Sequence, residues 1–151
     1  MILHVICMAS NVIQLQVTGS LYSVDLSNTN VAGPFPTLLC SLQNLFFISL
    51  YDNFINSFLP EEISACVNLQ HLDLAQNLFV GPLPSLSDIP KLHHLDLRGN
   101  NFSSNILTSL GRFSRLEVLS LVGNFFNRTT PSSEFARLGP GHEQSSRSHT
   151  D

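Results

Sequence analysis

Two histidine–aspartate pairs carry the most suggestive chemistry in this chain. They are His71-Leu-Asp73 and His94-Leu-Asp96, with the same internal spacing. Imidazole and carboxylate are zinc-binding groups, and with a serine they make the proton relay of a hydrolase. The surroundings support neither reading. No G-x-S-x-G elbow is present to offer a nucleophile, and no C-x-x-C pair extends a metal site. On neighbouring strands the four groups would share a flat surface, which gives a cation no closed cage. The expectation is no metal, no cofactor and no catalytic residue.

The sequence around the pairs is what positions them. Leu69-Gln-His-Leu-Asp-Leu-Ala-Gln-Asn77 and Leu92-His-His-Leu-Asp-Leu-Arg-Gly-Asn100 are two copies of L-x-x-L-x-L-x-x-N. The leading leucines recur at Leu21, Leu45, Leu69, Leu92 and Leu116, with spacings of 24, 24, 23 and 24 residues. This motif with a period of about 20–29 residues is the signature of a leucine-rich repeat solenoid. The expected fold is therefore an α/β solenoid. It is a right-handed superhelix of about five repeats, with short parallel strands on the concave side and 3-10 or irregular turns on the convex side. The predicted boundaries are a partial N-terminal cap over 1–20, repeats over 21–44, 45–68, 69–91, 92–115 and 116–138, and a disordered tail over 139–151.

Each column of the repeat has a physical task. Val24/Leu26, Ile48/Leu50, Leu72/Leu74, Leu95/Leu97 and Leu119/Leu121 are apolar residues two apart, so they point to one side of a strand. Asn53, Asn77, Asn100 and Asn124 form a structural column, because a carboxamide donates and accepts at once and can satisfy backbone groups of two adjacent coils. Thr29 holds that place in the first repeat and can do only part of the work. Val31, Ile55, Phe79, Phe102 and Phe126 should stack as a spine. Leu39/Leu42, Ile63/Cys66, Leu86/Ile89 and Leu110/Phe113 should line the convex turns, and the one-residue shortening of the third repeat falls there. Cys66 in that column reads as a small packing residue.

Before the repeats, Ile13, Leu15 and Val17 alternate with polar residues, which predicts a half-buried strand. The apolar start at Met1 lacks a basic flank and a clear cleavage signal, and no apolar run reaches the length of a membrane span. A net charge of −4 leaves no basic footprint for nucleic acid. The three cysteines, Cys7, Cys40 and Cys66, do not by themselves fix a redox compartment.

The Gly-x-Ile-Pro type of segment after the Asn column, as in Gly33-Pro-Phe-Pro36 and Gly81-Pro-Leu-Pro84, resembles the plant-specific class of leucine-rich repeats. Ser23–Pro36, Leu50–Ser57, Leu72–Asn77, Asp88–Pro90, Gly99–Ser103 and Leu116–Leu121 are similar to the repeats of HAESA-type plant receptor-like kinases, over about residues 20–127. That resemblance implies an ectodomain that binds a secreted peptide or protein on its concave face, with a co-receptor ectodomain as a further partner. It implies an extracellular location at the plasma membrane or secretion. It also implies a cysteine-paired cap, of which Val5-Ile-Cys7 resembles the second half without its partner. The kinase motifs of such receptors are absent here, so the expectation is a binding module and not an enzyme. The alternatives are a secreted inhibitor-like repeat protein and a truncated product without independent function.

Side chains that alternate with the inward leucines are free to meet a ligand. The best placed are Phe47, Tyr51, His71, Asp73, His94, Asp96 and Arg98, since aromatic and arginine side chains supply most anchor energy in interfaces. Ala75 belongs to the same outward set. Asn101-Phe-Ser103 and Asn127-Arg-Thr129 are N-glycosylation sequons, relevant if the chain is secreted. Phe54, Leu78 and Phe125 flank the Asn column; they either mark a contact surface or, the reading preferred from sequence, pack against the loops of neighbouring coils.

Overall fold

The computed structural model describes the strands Ile2–Cys7 and Ile13–Thr18, and residues 20–106 and 115–127. The expectations for Leu110, Phe113, the convex part of the fifth repeat and the tail over 139–151 lie outside these residues, as does the side chain of Cys7. β1 (Ile2–Cys7) and β2 (Ile13–Thr18) pair antiparallel, with Cys7 opposite Ile13. The alternation of residues 13–17 predicts β2; the apolar start of the chain is its partner strand.

Five three-residue strands follow, one per repeat: β3 (Ser23–Asp25), β4 (Phe47–Ser49), β5 (His71–Asp73), β6 (His94–Asp96) and β7 (Val118–Ser120). They form one parallel sheet in sequence order. The register runs Val24↔Ile48↔Leu72↔Leu95↔Leu119, so equivalent residues of each repeat are side by side. Ile48, Leu50, Leu72, Leu74, Leu95 and Leu97 are fully buried. Each such side chain stabilises the fold by about 1.5–3 kcal/mol, on condition that the next coil covers it. Phe79, Phe102 and Phe126 continue the core as a stack, with centroids 5.6 and 6.2 Å apart.

Between strand and spine each coil turns through a left-handed residue. Asn28, Asp52, Gln76, Gly99 and Gly123 all precede the Asn column and all have positive φ, from 53° to 72°. Only glycine takes this conformation without steric cost. The Asn column then closes the turn. Asn77 Nδ2 donates to Leu50 O (2.8 Å) in the preceding coil and to Leu74 O (3.1 Å) in its own, while its Oδ1 accepts from Ile55 N–H (3.1 Å). Asn53, Asn100 and Asn124 repeat this pattern one coil earlier or later. The Thr29 hydroxyl donates to Leu26 O of its own coil (2.6 Å) and to Asn53 Oδ1 of the next coil (3.4 Å). Beside the ladder, two short parallel pairs form, Ala32–Gly33 with Phe54–Ile55 and Val80–Gly81 with Asn101–Phe102, a lateral pairing that the motif does not announce.

The convex side is built from 3-10 turns over Thr37–Ser41, Glu61–Ala65 and Leu86–Asp88. The third turn is three residues long where the others are five, and it takes up the shorter repeat while the Leu72↔Leu95 register holds. One expectation needs correction. Cys66 is buried, but it is not a free packing residue: it is bonded to Cys40 of the preceding coil, with Cα atoms 4.4 Å apart. The two cysteines occupy non-equivalent places in their repeats, so no column pairs them. Among the described residues, no helix is long and apolar enough to cross a membrane.

Candidate ligand-binding face

The outward residues of the five strands form three parallel columns. The first is Ser23, Phe47, His71, His94 and Val118, aligned by the sheet register. Strands about 4.8 Å apart bring equivalent side chains within stacking distance. The Phe47 and His71 rings stack with centroids 4.4 Å apart at 18°, and His71 and His94 stack at 3.9 Å and 14°. Three rings on three adjacent strands thus make one half-buried strip. Each aromatic contact contributes on the order of 0.5–1.5 kcal/mol.

This packing sets the charge state of the strip. Burial pushes the His71 imidazole down from 6.5 to about 4, and the neighbouring His94 and His93 add to the shift against the opposing pull of Asp96. Burial likewise lowers His94, although Asp96 and Asp73 resist. Both rings are neutral near pH 7, and the strip presents the edges of stacked rings and not a cationic surface.

The second column is Asp25, Ser49, Asp73, Asp96 and Ser120, and much of its capacity is used within the protein. Asp25 accepts from Ser27 N–H (3.0 Å) and Oγ–H (2.6 Å), which holds its carboxyl below the usual range. Asp73 accepts from Ala75 N–H (3.0 Å); burial pushes its carboxyl up, with a further push from Asp96. Asp96 is buried and accepts from Arg98 N–H (3.1 Å) and Nε–H, with Arg98 Nη2 2.7 Å from its Oδ2. These aspartates close the turns after β3, β5 and β6. The third column is Ser27, Tyr51, Ala75, Arg98 and Val122. Tyr51 and Arg98 are exposed, whereas Ala75 between them is fully buried and meets no ligand.

Of the residues singled out by sequence, Phe47, His71 and His94 are therefore joined in one strip, and Tyr51 and Arg98 project one column away. Asp73 is half-buried and Asp96 serves mainly to orient Arg98. The face has aromatic surface and one fixed guanidinium. Among the described residues, no group of three or more His, Cys, Asp or Glu is placed to hold a metal ion. The stacking itself is a feature that sequence reasoning missed; its signal was the run Phe, His, His at equivalent places in consecutive repeats. The lateral residues also differ from the preferred reading. Phe54, Leu78 and Phe125 do not pack under the neighbouring loops but are 54%, 45% and 67% exposed.

Comparison with known proteins agrees with this architecture. The pattern of the Leucine Rich Repeat family matches residues 68–88 and 91–113. Over 51 residues, 34% of this chain, the sequence is 59% identical to the receptor-like protein kinase HSL1 of Arabidopsis thaliana. The chain spans only 5% of that kinase's length. The crystal structure of the Arabidopsis receptor kinase HAESA with the peptide hormone IDA and the co-receptor SERK1 superposes with a TM-score of 0.68 at 42% identity, covering 81% of this chain and 20% of the matched one. A chain of the Arabidopsis BIR3–SERK2 complex superposes with a TM-score of 0.73 at 31% identity, covering 93% of this chain and 78% of the other.

Proposed function

The chain belongs to the leucine-rich repeat family of plant receptor-like proteins, and on that premise we propose that its concave face binds a secreted peptide outside the cell. The observation that carries the reading is the Phe47–His71–His94 stack. A stack of three nearly parallel rings has no evident task in closing the repeats, which the inward leucines and the Asn ladder already do. It suits apolar or ring-bearing peptide residues, with Arg98 beside it for a carboxylate or a backbone carbonyl. Asp96 fixes the Arg98 guanidinium before any ligand arrives, which lowers the entropy lost on binding. HAESA, which shares the repeat architecture, is the structure of a receptor kinase bound to a peptide hormone and a co-receptor. A co-receptor ectodomain is proposed as the second partner on that similarity.

The extracellular placement has support of its own. A buried disulfide between Cys40 and Cys66 belongs to an oxidising compartment. The binding reading is tested by fluorescence anisotropy with a panel of labelled secreted peptides that includes IDA. The expected result is saturable binding that falls on the order of 10-fold in Phe47→Ala and His71→Ala, the effect of removing one anchor residue. Glu62→Ala on the convex turn serves as control and keeps full affinity. Concave variants that bind every peptide as the unaltered chain does would contradict the assignment.

A further inference from the structure

A cleft of about 490 Å³ opens on the rim where the strands begin, lined by Gln70, Lys91, His93, Arg115, Leu116 and Glu117. None of these residues belongs to the three concave columns. The size falls within the roughly 300–1,000 Å³ of small-molecule sites. The repeat builds this cleft. Gln70, His93 and Glu117 each follow a leading leucine, and backbone bonds align them. His93 N–H donates to Gln70 O (3.0 Å) and Glu117 N–H to His93 O (2.8 Å). Lys91 and Arg115 each precede the leading leucine of their repeats, so they stand at equivalent places in adjacent coils. Leu116 is buried and gives the cleft an apolar wall.

Neither cation is neutralised within the protein. Among the described residues the only ion pair joins Asp96 and Arg98. Lys91 is held instead by a neutral group: its Nζ donates to Asn68 Oδ1 (2.6 Å), and Asn68 Nδ2 donates to Gln43 O (2.6 Å). That chain of bonds fixes the ammonium and leaves it two further donors. With histidine neutral, Lys91 and Arg115 against Glu117 leave the lining one net positive charge near pH 7. A single ligand carboxylate balances it, and the Arg115 fork can meet both carboxylate oxygens.

Glu117 narrows the class of ligand. An ionised carboxylate only accepts, so the ligand must bring donors of its own. A sulfate, or an acidic side chain of a peptide, brings charge without hydroxyl donors and is repelled by Glu117. A carboxylate on a hydroxylated ring supplies both. Its hydroxyls suit Glu117, the Gln70 carboxamide and the His93 imidazole, and its ring carbons suit Leu116. We propose that the rim cleft binds a sugar acid of the hexuronate class, with the carboxylate on Lys91 and Arg115 and the hydroxyls on Glu117, Gln70 and His93. Peptide binding at the concave face is not required for it.

The test is calorimetric titration of the full chain with glucuronate and with galacturonate. Glucose, sulfate and N-acetylaspartate amide (an acidic peptide residue) serve as comparisons. The expected result is saturable binding of a uronate with Kd on the order of 1 mM, which suits a ligand of about thirteen non-hydrogen atoms. The three comparisons should bind on the order of 10-fold more weakly. Lys91→Gln and Arg115→Gln should each weaken uronate binding by a similar factor, and Glu62→Ala on the convex turn should leave it unchanged. Glu117→Gln should shrink the margin over sulfate, because it removes the repulsion. In the unaltered chain the His93 ring protons, identified by their loss in His93→Gln, should shift in NMR as the uronate is added. That readout holds even if a variant fails to fold. The proposal is overturned by uronate binding that does not saturate at tens of millimolar, or by an unmoved His93 ring. Glucose, sulfate or N-acetylaspartate amide binding as tightly as the uronate also overturns it, as does uronate binding left intact by both Lys91→Gln and Arg115→Gln.

Discussion

The two sides of a single strand have opposite dependencies. In β5, Leu72 points inward and is fully buried, held in place by Ile48 and Leu95 of the coils before and after it. His71, one residue away, points outward and is only half-buried, with its ring held by Phe47 and His94. Both side chains obtain their neighbours from adjacent repeats. The inward one yields stability that has no chemical content. The outward one yields a surface, and its contacts are weak enough to be exchanged for a ligand. The difference teaches that one repeat spacing sets both the fold and the geometry of the aromatic strip.

Substitutions on either side should separate the two roles. Leu72→Ala is the most damaging: a fully buried leucine replaced in a closed core costs about 2–5 kcal/mol. Chemical denaturation should show the loss, and His71→Ala measured alongside should cost less than half as much. Asn77→Ala comes next. It leaves the Ile55 N–H without its partner in a buried place, while Leu50 O and Leu74 O keep their bonds from Asn53 and Asn100, and an unmet buried donor costs about 1–3 kcal/mol before water enters. An Asp73→Ala variant should lose only about 1 kcal/mol, because it gives up a single turn bond to Ala75.

A smaller effect has the opposite sign. Gln76 holds φ of 55° where Gly99 and Gly123 stand in the next two repeats. Gln76→Gly should stabilise the chain by about 1 kcal/mol through release of that conformation. Gly99→Ala should destabilise it, since the new methyl group would meet the Gln76 side chain. Equal midpoints for Gln76→Gly and the unaltered chain would show that the turn carries no strain.

The smallest effect concerns pH. The folded chain holds the His71 pKa near 4, below the ordinary 6.5. Between those values the unfolded chain binds more protons than the folded one, so acidification favours unfolding. The contribution is complete above about pH 6.5 and is lost as pH falls toward 4. The groups facing His71 are His94, His93 and Asp96, and His94 shifts in the same direction. Urea midpoints should therefore fall between pH 7 and pH 5, and His71→Phe should flatten that slope while preserving the stack. A slope unchanged in His71→Phe would assign it to other groups.

The repeat was legible in the chain because a leucine at fixed spacing has only one way to be buried. The Asn ladder and the phenylalanine spine followed from the same spacing. The disulfide was not legible. Cys40 lies inside its 3-10 turn and Cys66 just past the end of the next one, so their approach depends on how consecutive convex turns pack. The candidate binding face was legible only in part. Alternation identifies which side chains point outward, but not which of them the backbone has already engaged. Asp73 and Asp96 accept bonds from the residue two places on, and Ala75 is covered by its surroundings. The lateral row was misjudged because its exposure depends on the path of the neighbouring coils and not on residue type.

The histidine ring protons provide the most direct test of the binding strip. The chain has six histidines, and their resonances can be followed by NMR as pH and peptide concentration are varied. The account predicts two rings, His71 and His94, shifted by the ring current of a stacked neighbour, with His71 titrating near 4 and His94 below the ordinary 6.5, and both moving on addition of a bound peptide from the panel. Assignments come from loss of each signal in His71→Phe and His94→Phe. If these two rings titrate at the ordinary 6.5, or if a bound peptide moves other histidines and leaves them unchanged, the concave stack is not the binding site.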